Sequence, residues 1–540
     1  MGSLWRAAGA ALVTLGLAVT CEPGPGVGPA TPEVTAGRPN IVFVLTDDLT
    51  VDLLRFMPQV RRLAAEGVSF SNYVVTNSLC CPSRASILTG RFPHNTGVLA
   101  NAGPAGGFPV FRRRGNEEDT FATGLRAAGY RTALFGKYLN GYDPASGHVP
   151  PGWDEWAVAG NAYAQVGYAL NENGRIRGYG GQYLTGVLGA KAESFIRTSA
   201  QRKQPFLVEI STFAPHSPFA PAPQDANAFP GLTAPRGPAF DRLPVNPPPW
   251  LAGRPPLNDA QRGRIDDAYR KRAQSVLSID RMIGGLRATL AETGVADDTV
   301  LVFSSDNGFH LGEYRLTVGK QTAFETDVRV PLIMSGPGVE KGRRVAETAE
   351  NIDLRPTFDA LAGADTPPDV DGRSLLSLIS TAREDRDALP PPSAATPGSR
   401  GPLSLTSSGI PVYSGMPKGS GIPEDSGIVG AGWRTAALIE HHHPESGSPE
   451  SGSPESRPDD PDRQKVIPES YVALRTPEWT FVRYASGARE FYDRRTDPHQ
   501  LRNTAAALSP ARRAALDAAL TALATCRGAV ACDKAAMVRA

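Results

Sequence analysis

At 540 residues, 41% of them hydrophobic, the chain is long enough for one large core with a smaller one beside it. Its 56 basic and 55 acidic residues leave a net charge of +1, which removes the electrostatic ground for a nucleic-acid or anionic-membrane partner. Five cysteines, two of them adjacent, exclude a disulfide framework as the support of the fold.

The chain begins with the pattern of an export signal over residues 1–20. Arg6 supplies the positive start, residues 7–19 are apolar or small and too few to span a bilayer, and Ala18-Val19-Thr20 suits cleavage. Cys21 follows at once. A lipid on that cysteine and plain secretion both stay open, Thr20 being a poor fit to a lipid-attachment motif, and either one places the protein outside the cytoplasm. Residues 21–38 read as a Pro/Gly-rich tether.

Ile41-Val42-Phe43-Val44-Leu45 is a continuous apolar run that ends in Asp47-Asp48. Such runs suit parallel strands buried on both faces. The pattern recurs at 206–212 and 300–305, with helical stretches at 122–128 and 267–292 between these runs. Strands alternating with helices predict an α/β catalytic domain over 39–382, with a mixed, mostly parallel central sheet flanked by helices. Functional groups of such sheets gather beyond the carboxyl ends of the strands. Asp47 and Asp48, His216, and Asp306 with Asn307 stand at those ends.

Residues 383–468 are dense in Pro, Ser and Gly, carry a Pro-Glu-Ser near-repeat from Pro444 to Ser456, and are expected to be mostly disordered. Only 432–439 within them reads as a strand, and His441, His442 and His443 read as solvated. Strands at 471–476 and 479–484, and a helix started by Ser509-Pro510 and running to about 525, complete a smaller C-terminal antiparallel-sheet subdomain over 430–540. Cys526 and Cys532 enclose a short loop that suits a disulfide in an oxidising compartment. His94 reads as support for the loop after Arg91, and His148 and His499 carry no signal.

The strongest motif is Cys80-Cys81-Pro82-Ser83-Arg84-Ala85-Ser86-Ile87-Leu88-Thr89-Gly90-Arg91. A buried free cysteine is the commoner fate of an isolated Cys. Here C-x-P-S-R is followed by L-T-G-R, and the segment resembles the signature of type I formylglycine-dependent sulfatases, in which the first cysteine is oxidised to formylglycine. The resemblance runs from Arg38 to about Cys532 and implies an alkaline-phosphatase-like fold. It also implies a metal site of Asp47, Asp48, Cys80, Asp306 and Asn307, and catalytic roles for Cys80, Arg84, Lys137, His216, His310 and Lys320. Maturation would need a formylglycine-generating enzyme.

Within the family, Gly136-Lys137-Tyr138-Leu139-Asn140 and Pro150-Pro151-Gly152-Trp153 resemble N-acetylglucosamine-6-sulfatases and the heparan endosulfatases. Leu139 stands where many arylsulfatases have His. The implied substrate is a sulfated carbohydrate. Arylsulfatase action, phosphonate or phosphate monoester hydrolysis, and an inactive lipid-anchored sugar-binding homologue are the alternatives.

The residues support the same chemistry independently. Three carboxylates and an amide oxygen form a hard donor set that favours Ca²⁺, with Mg²⁺ second, and no C-x-x-C or H-E-x-x-H zinc pattern occurs. A sulfate ester is an anion, and Lys137, Lys320, Arg84 and His216 supply the charge to hold it. The implied mechanism is covalent: one hydroxyl of the hydrated aldehyde attacks sulfur, His216 or His310 gives the leaving alcohol its proton, and the second hydroxyl expels sulfate.

Overall fold

The computed structural model describes residues 37–380, 432–443 and 467–538. The export signal, Cys21, nearly all of the tether and most of the 383–468 stretch, including the Pro-Glu-Ser near-repeat, lie outside the described residues.

The main sheet has ten strands: β1 (Asn40–Thr46), β2 (Val68–Phe70), β3 (Arg131–Lys137), β4 (Glu155–Ala159), β5 (Ala169–Glu172), β6 (Arg175–Gly178), β7 (Phe206–Ser211), β8 (Thr299–Ser305), β9 (Leu332–Ser335) and β10 (Arg343–Val345). Their order is β10-β2-β9-β8-β1-β7-β3-β4-β5-β6. The centre, β8-β1-β7-β3-β4, is parallel, and Val42 lies opposite Val208 on one side and Leu301 on the other. Strands β9 and β5, each antiparallel to both its neighbours, make the sheet mixed.

The apolar run of β1 is continuous because both its faces are covered. Ile41, Phe43 and Leu45 pack with the helices Cys80–Thr89, Phe121–Ala127 and Leu354–Ala362. Val42 and Val44 pack with Pro58–Glu66, Leu184–Gln201 and Asp259–Glu292. Each fully buried side chain of this size contributes about 1.5–3 kcal/mol by leaving water. Phe43→Ala, next to Phe358 at 5.3 Å between ring centroids, would cost about 3–5 kcal/mol through the cavity it leaves.

The C-terminal sheet is antiparallel, in the order β11 (Ala437–His441), β12 (Tyr471–Arg475), β13 (Trp479–Tyr484), β14 (Arg489–Asp493). One face, with Ala437, Ile439, Ala473 and Val482, joins the main core. The other, with Leu438, Leu474 and Phe481, packs on Leu516, Leu520 and Leu523 of the helix Pro510–Leu523. Cys526 and Cys532 are disulfide-bonded, as their spacing predicts.

Three expectations shift. The long helix starts at Asp259, eight residues before 267, because Asn258 and Gln261 form a reciprocal capping box. The strand expected at 432–439 lies at Ala437–His441; Trp433 and Arg434 precede it and are buried. His441, expected to be solvated, is buried on β11, stacked on Tyr471 with a ring nitrogen 3.2 Å from the Pro468 carbonyl oxygen. Burial holds its imidazole down at about 3, so it is neutral.

Candidate active site

Four parallel strands deliver their polar ends to one edge. β1 leads into Asp47-Asp48, β3 ends on Lys137, β7 leads to His216, and β8 leads into Asp306-Asn307. The helix Cys80–Thr89 begins at this edge, so Cys80 sits at its positive end. Gly136 has to be glycine: its φ is +115°, and a Cβ there would lie 1.9 Å from the Ser211 carbonyl oxygen. That close approach of β3 and β7 sets the direction of Lys137. Lys320 arrives from the turn after the short pair His310–Leu311 and Val318–Gly319.

The side chains converge. Lys320 Nζ is 2.5 Å from Cys80 Sγ and 2.7 Å from Asp48 Oδ1. Lys137 Nζ is 2.5 Å from Asp47 Oδ2, and Cys80 Sγ is 3.7 Å from Asp47 Oδ1. Arg84 donates from Nε to Asp306 Oδ2 at 2.7 Å and from Nη1 to Ser211 Oγ at 2.5 Å, and its Nη2 lies 3.7 Å from Asp47 Oδ2. His216 Nε2 is 3.6 Å from Asp48 Oδ2, its other ring nitrogen 2.7 Å from the Ser217 carbonyl oxygen. Asn307 Nδ2 donates to Asp48 Oδ1 at 2.6 Å. His310, also singled out from the sequence, bonds instead to Asp327, its Nδ1 3.0 Å from Oδ2.

The charges are buried, and their partners set their acidity. Burial alone would raise the Asp47 carboxyl, but Lys137, His216 and Arg84 together hold it below the usual carboxylate range. Asp48 is likewise raised by burial and held below that range by Lys320 and His216. Burial pushes the Cys80 thiol well up despite Lys137 and Lys320, the opposite of the environment that activates a thiolate. Lys137, though burial opposes its charge, is kept protonated by Asp47.

The residues at this point fit a divalent cation. Ligand atoms of Asp47, Asp48, Cys80 and His216 lie within 4.8 Å of one another. Asn307 Oδ1 is buried without a hydrogen-bond partner although its Nδ2 is doubly engaged, with Asp48 and the Gly308 carbonyl oxygen. A buried acceptor left open beside two carboxylates is what a hard oxygen-seeking cation completes. Asp306 is partly committed, accepting from Arg84 and from the Asp48 backbone N–H at 3.1 Å. His216 was not among the metal-site residues read from the sequence, yet it stands in this group.

Three further residues complete the site without any sequence signal. Asp327 orients His310 and also accepts from Thr322 Oγ1 at 2.7 Å. Arg272, fully buried on the long helix, donates to the Asp48 carbonyl oxygen at 2.6 Å and lies 4.4 Å over the Phe309 ring. It thereby clamps the backbone of Asp48, held at φ +64°. Tyr163 packs its ring 4.5 Å from that of His216. All three come from distant segments and follow no fixed spacing.

A signature cysteine at a helix start, ringed by buried cations and paired aspartates at strand ends, agrees with comparison to known proteins. The Sulfatase family profile matches residues 39–364. The chain belongs to the sulfatase family. Human N-acetylglucosamine-6-sulfatase is 37% identical over 366 residues, covering 65% of this chain and 66% of that protein. The extracellular sulfatase SULF-1 homolog of Drosophila melanogaster is 37% identical over 364 residues, 65% of this chain and 32% of that one. The chain thus spans about a third to two thirds of the length of these relatives. A solved structure described as bound to its substrate D-glucosamine-2-N,6-O-disulfate superposes with a TM-score of 0.65 at 22% identity, covering 90% of this chain and 97% of the other. The α/β fold with its separate small antiparallel sheet is therefore that of the sulfatases.

Proposed function

We propose that this chain hydrolyses sulfate esters of sugars, with 6-O-sulfated N-acetylglucosamine as the first substrate, after oxidation of Cys80 to formylglycine. The observation that carries the reading is the convergence of Lys137, Lys320 and Arg84 on the acid pair and the Cys80 sulfur. Its sugar preference rests on the Lys137-Tyr138-Leu139-Asn140 wording and on the glucosamine-6-sulfatase relatives.

Position 80, once oxidised, and a Ca²⁺ held by Asp47, Asp48, Asp306 and Asn307 would supply the nucleophile and the neutralising charge. The chain's own residues do the rest. Lys137 and Lys320 hold the anionic ester oxygens and balance the charge that grows on them. Arg84 fixes Asp306 and faces Asp47, helping Lys137 and His216 to keep the Asp47 carboxyl ionised. His310, its Nδ1 fixed on Asp327, and His216 are the two groups that can hand a proton to the departing alkoxide. We also place the protein outside the cytoplasm. The N-terminal apolar stretch, the Cys526–Cys532 disulfide and the extracellular Drosophila relative support this, and no helix among the described residues is long and apolar enough to cross a membrane.

The test is the chain co-expressed with a formylglycine-generating enzyme. Mass spectrometry of the Cys80 peptide is expected to show the aldehyde, and a panel of sulfated sugars, aryl sulfates and phosphonate monoesters to show turnover of 6-O-sulfated glucosamines. Turnover of aryl sulfates or phosphonates with no sulfated sugar would overturn the sugar reading.

A further inference from the structure

We infer that Tyr163 is the apolar wall against which the sugar ring of the substrate rests, the element that turns a general sulfate site into one for a sulfated carbohydrate. This rests on the sugar-sulfatase reading above.

The anion site is polar throughout. Asp47, Asp48, Arg84, Lys137, His216, Asp306, Asn307 and Lys320 are all charged, amide or imidazole groups. They suit a sulfate group and offer nothing to the C–H face of a pyranose. Selective small-molecule sites combine a few polar groups with aromatic or aliphatic surface. Tyr163 provides such surface at this place. It lies in the loop that leaves β4, at the same carboxyl edge of the sheet. Its ring centroid is 4.5 Å from that of His216, and the Lys137 ammonium is 5.1 Å from it. The ring therefore touches two residues of the anion site while remaining only partly buried.

The ring is also held in place. Phe213 packs edge-on against it at 5.0 Å. The loop is anchored on either side: Ala162 is buried in the core, the Gln165 N–H donates to the Ala162 carbonyl oxygen at 2.9 Å, and the Leu184 N–H donates to that of Gln165 at 2.8 Å. A rigid, partly buried aromatic beside an anion site is a preformed contact surface, and it needs little ordering when the ligand arrives.

The rival role for the ring is to support Lys137 and His216 from behind, and the two roles separate experimentally. Inorganic sulfate, as a competitive inhibitor, reads the anion site alone. The KM for N-acetylglucosamine 6-sulfate reads the anion site plus the sugar contact. Tyr163→Leu is expected to raise KM about tenfold while the inhibition constant of inorganic sulfate stays within about twofold, and Tyr163→Phe to behave as wild type. Melting temperatures of both variants check that they fold. An unchanged KM in Tyr163→Leu, or a sulfate inhibition constant rising in step with KM, would overturn the inference. Failure of the sugar reading itself would show in the wild-type enzyme as no turnover of any sulfated sugar, and would take this inference with it; failure of the inference alone shows only in the variants.

Discussion

Asp47 and Asp48 at the edge of the main sheet, and Glu350 and Glu490 around the C-terminal sheet, are all buried, yet their acidity moves in opposite directions. Burial raises every one of them; the first pair is nevertheless held low, while Glu350 is pushed up to about 8 and Glu490 to about 7. The difference lies in the company. Asp47 has Lys137 and Arg84, and Asp48 has Lys320 and His216. Glu350 has Arg434 at 2.7 Å but Asp353 repels it, and Glu490 accepts from the hydroxyls of Tyr484 and Tyr492. The sheet edge thus sets a cation directly against each of its paired aspartates, whereas Glu350 and Glu490 have too little positive charge beside them to offset their burial.

The sharpest way to break this contrast is at position 80. Cys80→Ala is expected to lower turnover more than about 10⁴-fold and Cys81→Ala to retain most of it, measured as kcat on a sulfated sugar. Activity surviving in the first variant would remove the nucleophile from the site. Next come the cations. Lys137→Ala should lower kcat/KM about 10²- to 10³-fold. Arg434→Met should instead cost about 3–5 kcal/mol in denaturant unfolding, because it strands buried Glu350 and Asp353, and leave kcat per folded molecule unchanged. Equal kinetic losses in the two variants would erase the distinction.

A smaller effect concerns pH. Glu490 is raised in the folded state, so it binds its proton more tightly there than in the unfolded chain. Its contribution is complete below about 4.5 and is lost as pH rises through about 7, a change on the order of 3 kcal/mol. Glu490→Gln should lessen the fall of stability across that window, the part due to Glu350 remaining, followed by urea midpoints from pH 4.5 to 8. The smallest expected effect is Ser509→Ala. It removes the side-chain acceptor of the Arg512 N–H at 3.2 Å and should cost about 1 kcal/mol with turnover unaltered.

What was legible in the sequence follows the same division. β1 was readable to the residue because both faces are covered and a pair of carboxylates stops the apolar run. The strand-end residues and the Cys80 motif were readable because chemistry there depends on short spacing. The first turns of the long helix were not, since Asp259 to Asp266 is mostly polar and only the Asn258–Gln261 cap marks the start. His441 misled because its surroundings in sequence are low in complexity, whereas its surroundings in space, Tyr471 and Pro468, lie about thirty residues on. Arg272, Asp327 and Tyr163 reach the site only through tertiary packing, which leaves no local pattern to read.

The sulfur of Cys80 has no solvent exposure, and Lys320, 240 residues later in the chain, closes over it at 2.5 Å. A second protein cannot reach an atom so enclosed. Whatever is done to that cysteine has to be done while the stretch around it is still unpacked, before the chain that will seal it has settled into place. The order of synthesis thereby becomes a schedule: the signature leaves the ribosome early, its cover arrives late, and the interval between them is the working time of any maturing enzyme.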